Sequence, residues 1–141
     1  MAPEIKILGF NFTKINAERN SNFKGKLEVK SNIHIASIEK EKLQISKTEA
    51  VKILFEFTIN YGELGKVEIF GSMFLTLDSK STKELLNGFK SGNVPAEINA
   101  LIINIILQKA SLRALQLEEE LSLPLHIQFP RLQPAQNQDS K

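Results

Sequence analysis

Cysteine is absent from the sequence, and disulfides, thiolate nucleophiles and thiolate metal sites are excluded with it, as suits a reducing compartment. Histidine is scarce: His34 and His126 are the only two, they lie in different segments, and neither has the His-x-x-x-His spacing or neighbouring thiol that a metal site needs. Both read as structural. Charge of one sign is also lacking, because 18 basic and 16 acidic residues leave a formal net charge of +2. No basic stripe suited to phosphate binding emerges, so nucleic acid is not an expected partner. The most apolar window, Ile98 to Leu107, is broken by Asn99 and Asn104. It falls short of the roughly 20 apolar residues of a bilayer span, so direct membrane insertion is not expected. The opening Met1-Ala2-Pro3-Glu4-Ile5-Lys6 has no basic region followed by an apolar one, which gives a cytoplasmic expectation.

Catalytic motifs are missing as well. Gly62-Glu63-Leu64-Gly65 lacks the lysine and following hydroxyl residue of a phosphate loop, and no spacing singles out a carboxylate pair for acid/base work. The acidic run Glu118-Glu119-Glu120 falls near a helix C-terminus, where the macrodipole disfavours it, and reads as a solvated face in preference to a salt-bridge partner for a neighbouring chain. The expectation is a protein that is not an enzyme and needs no cofactor.

What is present is alternation. Ile5, Ile7, Phe10, Phe12 and Ile15 suggest a first strand with a change of phase near Gly9, where a bulge is accommodated. Leu27, Val29, Ile33 and Ile35 suggest a second, with Leu43 and Ile45 extending or following it. Val51, Ile53, Phe55, Phe57, Ile59 and Tyr61 form the cleanest strand. Two glycines then mark a hairpin into Val67, Ile69, Gly71, Met73, Leu75 and Leu77. Pairing Phe55 with Met73 places Leu54, Phe70 and Phe74 together on the other face, as a docking patch or a surface covered by another element.

From about Ser79 the period becomes helical, with a serine or threonine as N-cap and an end near Gly92. Pro95 opens a longer helix running to about Leu121. Its first half is apolar nearly all round, which requires burial on more than one side. Ile98, Leu101, Ile102, Ile105 and Ile106 are therefore expected at a subunit interface of a dimer or tetramer. The predicted fold class is α+β: a four-stranded antiparallel sheet, a short helix and a long C-terminal helix, in one domain over residues 1–134 with a disordered polar tail at 135–141.

The order of elements, closed by Leu123-Pro124-Leu125-His126-Ile127-Gln128-Phe129-Pro130 with its two prolines bracketing an alternating apolar stretch, resembles the SecB export chaperones. The resemblance implies dimers joined edge to edge through their sheets and stacked through their long helices into a tetramer. It also implies an ATP-independent holdase that captures unfolded polypeptides in apolar grooves, for protein export through a translocase motor. Phe10, Phe12, Phe23, Phe55, Phe57 and Phe129 are the candidate groove residues. This chain departs from the family's Phe-Pro-Tyr-Ala-Arg helix stretch and from its acidic sheet surface. A divergent member with a dedicated client, such as an antitoxin, fits those departures. The rival expectation is a carrier of a small hydrophobic ligand or lipid, because a sheet gripping a long helix can enclose a cavity.

Overall fold

The computed structural model describes residues 5–22, 25–42 and 49–128. The elements are strands β1 (Ile5–Arg19), β2 (Lys30–Lys42), β3 (Glu49–Asn60) and β4 (Gly65–Leu77), then helices α1 (Ser79–Ser91) and α2 (Ala96–Leu121). The strands form one antiparallel sheet in the order β1-β4-β3-β2, so β1 and β2 are its edges. The expected fold class is the observed one.

The apolar residues of β1 do not keep a step of two, and the sheet shows why they still act together. Irregularities between Ile7 and Gly9 and between Phe12 and Lys14 each absorb one residue. Ile5, Ile7, Phe10, Phe12 and Ile15 therefore pair with Leu77, Leu75, Met73, Gly71 and Ile69 and share one face. The first irregularity lies where the phase change near Gly9 predicts it; the second lies at Thr13. A third, between Ile35 and Ser37, keeps Ile33, Ile35 and Ile38 in phase on β2. Leu27 and Val29, expected in this strand, precede it and are exposed, and Leu43 and Ile45 fall outside the described residues.

The hairpin register differs by two from the expected one: Ile53 pairs with Met73 and Phe55 with Gly71. The turn explains the shift. The Leu64 amide donates to the Tyr61 carbonyl, Gly62 takes the left-handed conformation at φ 67°, and Leu64 folds inward. The turn is centred on Glu63, one residue earlier than the Leu64 centre that pairing Phe55 with Met73 requires. A slip of two leaves every side chain on its own face, but it changes neighbours. Phe55 now crosses Gly71, where an added Cβ would stand 2.7 Å from the Phe55 ring and 2.4 Å from the Asn11 carbonyl oxygen.

Both helices lie against the inner face. The α1 N-cap is Asp78, whose carboxylate accepts from the Ser81 amide at 3.1 Å, in place of the expected serine or threonine. The Ser81 hydroxyl first, and then this amide, hold the Asp78 carboxyl below its usual range. Pro95 precedes α2 as its N-cap residue, and Ile98, Ile102, Ile106, Ala110, Ala114 and Leu117 form the buried stripe of that helix. They complete one core with Ile53, Phe55, Phe57, Ile69 and Met73. At the far end Ser122 takes the left-handed conformation at φ 54°, and the Leu123 amide bonds back to the Glu118 carbonyl at 2.8 Å. This helix stop turns the chain back, at a cost of about 1 kcal/mol for a residue other than glycine.

Candidate functional site

By length and composition α2 passes as a membrane-crossing helix, yet here it rests on a sheet, and only 33% of its most apolar 18-residue window is buried in the fold. No charged residue occurs from Ile98 to Gln108. A helix with one face on the core normally turns charges to water on the other. Over this length α2 does not, and its two flanks differ.

The first flank is open and runs along β1. The row Ile5, Ile7, Phe10, Phe12 and Ile15 spans the β4 partners Leu77 to Ile69, about 26 Å at roughly 3.3 Å per residue. Ile7 is 45% exposed and Ile15 40%, while Phe10 and Phe12 are half-buried against the core. Ile5 and Ile7 form one wall of a solvent-open groove whose other wall is Leu101, Asn104, Ile105, Leu107 and Gln108 of α2. The Phe10 ring stands edge-on to Phe12 at 5.5 Å and tilted against Phe55 at 5.1 Å. Lys109 Nζ lies 5.4 Å from the Phe10 centroid, a cation capping the end of the aromatic group.

This geometry corrects several expectations. Phe55 and Phe57 are fully buried beneath α2 and belong to the core, so they form no part of an open groove wall. Among the expected interface residues, Ile98, Ile102 and Ile106 face the sheet and are buried within the single chain. Leu101 and Ile105 are only half-buried and line the groove, so they remain available to a partner. Helical phase accounts for the split, because positions 98, 102 and 106 recur every four residues along one stripe while 101 and 105 lie beside it. Phe23 and Phe129 lie outside the described residues, as does the tail from 135 to 141.

The second flank is filled by the chain itself. After Ser122 the closing segment returns over the β3 side of α2, with Leu123 buried and the His126 ring 5.8 Å from that of Phe57. His126 Nδ1 lies 2.9 and 3.0 Å from the two carboxylate oxygens of Glu118, and its Nε2 lies 3.2 Å from Ser111 Oγ. The Tyr61 hydroxyl donates to the same carboxylate. Glu118 is 0% exposed and the His126 side chain 5%. Burial, then the bond to Glu118 and the repulsion of its charge, push the Tyr61 hydroxyl far above the ordinary phenol range, so it stays protonated and remains a donor.

Glu118 therefore contradicts the reading of the acidic run as a solvated face: Glu119 and Glu120 are exposed, whereas Glu118 is the hub of a buried network. Helical phase carried the signal, since Ala114 and Glu118 are four apart on one stripe and Ser111 is seven from Glu118. The sequence of hydroxyl, imidazole and carboxylate follows the order of a hydrolytic triad. Ser111, however, is buried in mid-helix, where the surrounding amides are committed to helical hydrogen bonds and none is left to stabilise an oxyanion. The arrangement is better suited to holding two segments together than to acyl transfer.

On the outer sheet face Leu54, opposite Ser72, is exposed, while Phe70 and Phe74 are half-buried opposite Glu56 and Lys52. Lys14 Nζ lies 5.0 Å from the Phe70 centroid and Lys52 Nζ 5.7 Å from that of Phe74. The lysines roof both rings, leaving a smaller apolar patch than the sequence suggests. Compared with models of known families, with curated proteins and with solved structures, the chain matches none.

Proposed function

We propose that this chain is a non-enzymatic, ATP-independent holdase that works as a cytoplasmic homo-oligomer and binds unfolded polypeptides along its open apolar groove. The observation that carries the reading is the β1 row set against the uncharged half of α2. Together they expose an open groove with mainly apolar walls, Ile5 and Ile7 facing Leu101, Ile105 and Leu107, and the apolar row continues along β1 past Lys109 to Ile15, on a molecule of nearly balanced charge. Each 400 Å² of apolar surface covered there contributes on the order of 10 kcal/mol before the ordering of the client offsets most of it. Such binding selects for hydrophobicity and extension more than for sequence, as a holdase requires. Among the described residues the outer edge of β1 has no strand partner, and it offers backbone groups that an extended chain can meet.

Where two copies meet, Leu101, Ile105 and Leu107 are contacts between them and the β1 row carries the client, since an uncharged helix face can pack against its own copy. The order of elements and the SecB resemblance support it, with delivery to a translocase motor as its export form and an antitoxin-like client as its dedicated form. The lipid-carrier alternative is disfavoured by Ile53, Phe57, Ile69, Met73 and Ile106, which have no accessible surface. A lipid-sized cavity between sheet and helix would expose such residues to it.

The test is size-exclusion chromatography with light scattering, with and without a reduced, permanently unfolded protein. An oligomer that co-elutes with the unfolded form and ignores the native form supports the proposal. A monomer that binds neither defeats it.

A further inference from the structure

The segment filling the second flank of α2 is held in an unusual way. Among the described residues, only the Leu123 amide of residues 123–128 makes a backbone hydrogen bond to the rest of the chain, and that bond belongs to the helix stop. Residues 124–128 carry no helix or strand pairing. Leu125 and Ile127 are exposed. What fastens the segment is Leu123 at its root and the His126 imidazole, inserted between Ser111 and Glu118 and against Phe57.

An apolar stretch without backbone pairing beyond its root, held among the described residues by Leu123 and one imidazole, is a local unit with little to resist its opening. It has the chemistry of an unfolded client: Leu-Pro-Leu-His-Ile is a proline-bearing apolar peptide. The socket it leaves also need not stay dry. On opening, the Glu118 carboxylate and Tyr61 hydroxyl regain water, so the charge is not stranded in an apolar medium.

We infer that residues 123–128 are a displaceable strap covering a second polypeptide-binding groove on the β3 side of α2, with His126 as its clip. The inference rests on the holdase reading and adds the regulation of a second site to it. The apparent affinity of that groove is its intrinsic affinity multiplied by the fraction of molecules with the strap open. Weakening the clip therefore strengthens client binding. The clip is two-pronged, because Nδ1 bonds the carboxylate and Nε2 the serine, so loss of either prong should be graded in effect.

The experiment uses the full chain as wild type, Ser111→Ala and His126→Ala, titrated into a labelled, reduced and carboxymethylated unfolded protein and followed by anisotropy. His126→Ala should bind about tenfold more tightly and Ser111→Ala about two- to threefold, with cooperative melts retained. Equal affinity for all three overturns the strap while leaving the holdase reading in place. No binding by any of them sinks that reading and the strap with it. If His126→Ala fails to melt cooperatively, Ser111→Ala, which keeps the imidazole–carboxylate pair, decides alone: a gain supports the strap and no gain overturns it.

Discussion

Removing the Glu118 carboxylate should be among the most damaging single changes in the chain. It is wholly buried, accepts from Tyr61 and His126, and joins the turn after β3, α2 and the closing segment at one point. Glu118→Ala leaves a phenol and an imidazole facing a cavity with no acceptor. Breaking a buried hydrogen-bonded pair from one side costs about 3–5 kcal/mol, a large part of the roughly 5–15 kcal/mol that stabilises a domain of this size. Tyr61→Phe removes one charge-assisted bond and should cost about 1.5–3 kcal/mol. The double variant should lose less than the sum, with a coupling of about 1.5–3 kcal/mol, because each single change already breaks the shared bond. Urea unfolding at one fixed protein concentration, followed by far-ultraviolet circular dichroism, measures all four corners of the cycle. If Tyr61→Phe lies within 0.5 kcal/mol of wild type, or the cycle is additive, the hub has been misread.

Tyr61 is the only tyrosine in a chain without tryptophan, so absorbance at 295 nm follows its ionisation alone. Its folded pKa is raised, so its contribution to stability is full below the unfolded value of about 10 and is lost as pH rises beyond it. The absorbance step should coincide with loss of ellipticity; a step near pH 10 in a folded protein would refute the burial. Gly71→Ala places a Cβ 2.4 Å from a neighbouring strand's carbonyl oxygen, which only backbone movement can relieve. It should cost about 1–3 kcal/mol by thermal or urea melting, against little change for Gly9→Ala, whose Cβ meets only the Phe74 ring at 3.7 Å. Leu101→Glu with Ile105→Glu should lower the oligomeric mass by light scattering while the subunit stays folded, whereas Ile102→Glu, aimed into the core, should abolish the cooperative melt. Equal outcomes for the two would remove the distinction between outward and inward faces.

The strands were legible because period-two alternation survives translation into three dimensions, and the helices because the period changed at Ser79. The bulges in β1 were half legible. A phase change between Ile7 and Phe10 was visible beside a glycine, but the one between Phe12 and Ile15 had no glycine to advertise it and only the pairing with β4 exposes it. The division of the apolar half-helix was legible in principle, since 98, 102 and 106 are an i, i+4 series, but which stripe meets the sheet depends on the tertiary fold. Glu118 was only partly legible. Helical phase places it on the stripe of Ser111 and Ala114, but its partners are 57 residues upstream and 8 downstream, and nothing local shows what it meets there.

Charge divides α2 into two working lengths, and the division separates the two proposals in space. From Ile98 to Gln108 no charge interrupts the helix, and there the outward residues Leu101, Ile105 and Leu107 stand beside the open β1 row. Lys109 is the first charge, and it closes that end over Phe10. Beyond it, Arg113, Glu119 and Glu120 give the helix an ordinary wet face. The surface that remains apolar there, around Ser111 and Phe57, is under the closing segment. A protein that needed only to be stable would gain from charges on the first half and a firmly paired strand over the second. Leaving the first half uncharged invites self-association or aggregation unless something regularly covers it, and fastening the second, among the described residues, with one root leucine and one imidazole leaves it easy to open. Because the two surfaces lie on different lengths and opposite flanks of one helix, charges placed at Leu101 and Ile105 should leave the His126 clip intact, and loss of the clip should leave the mass by light scattering unchanged.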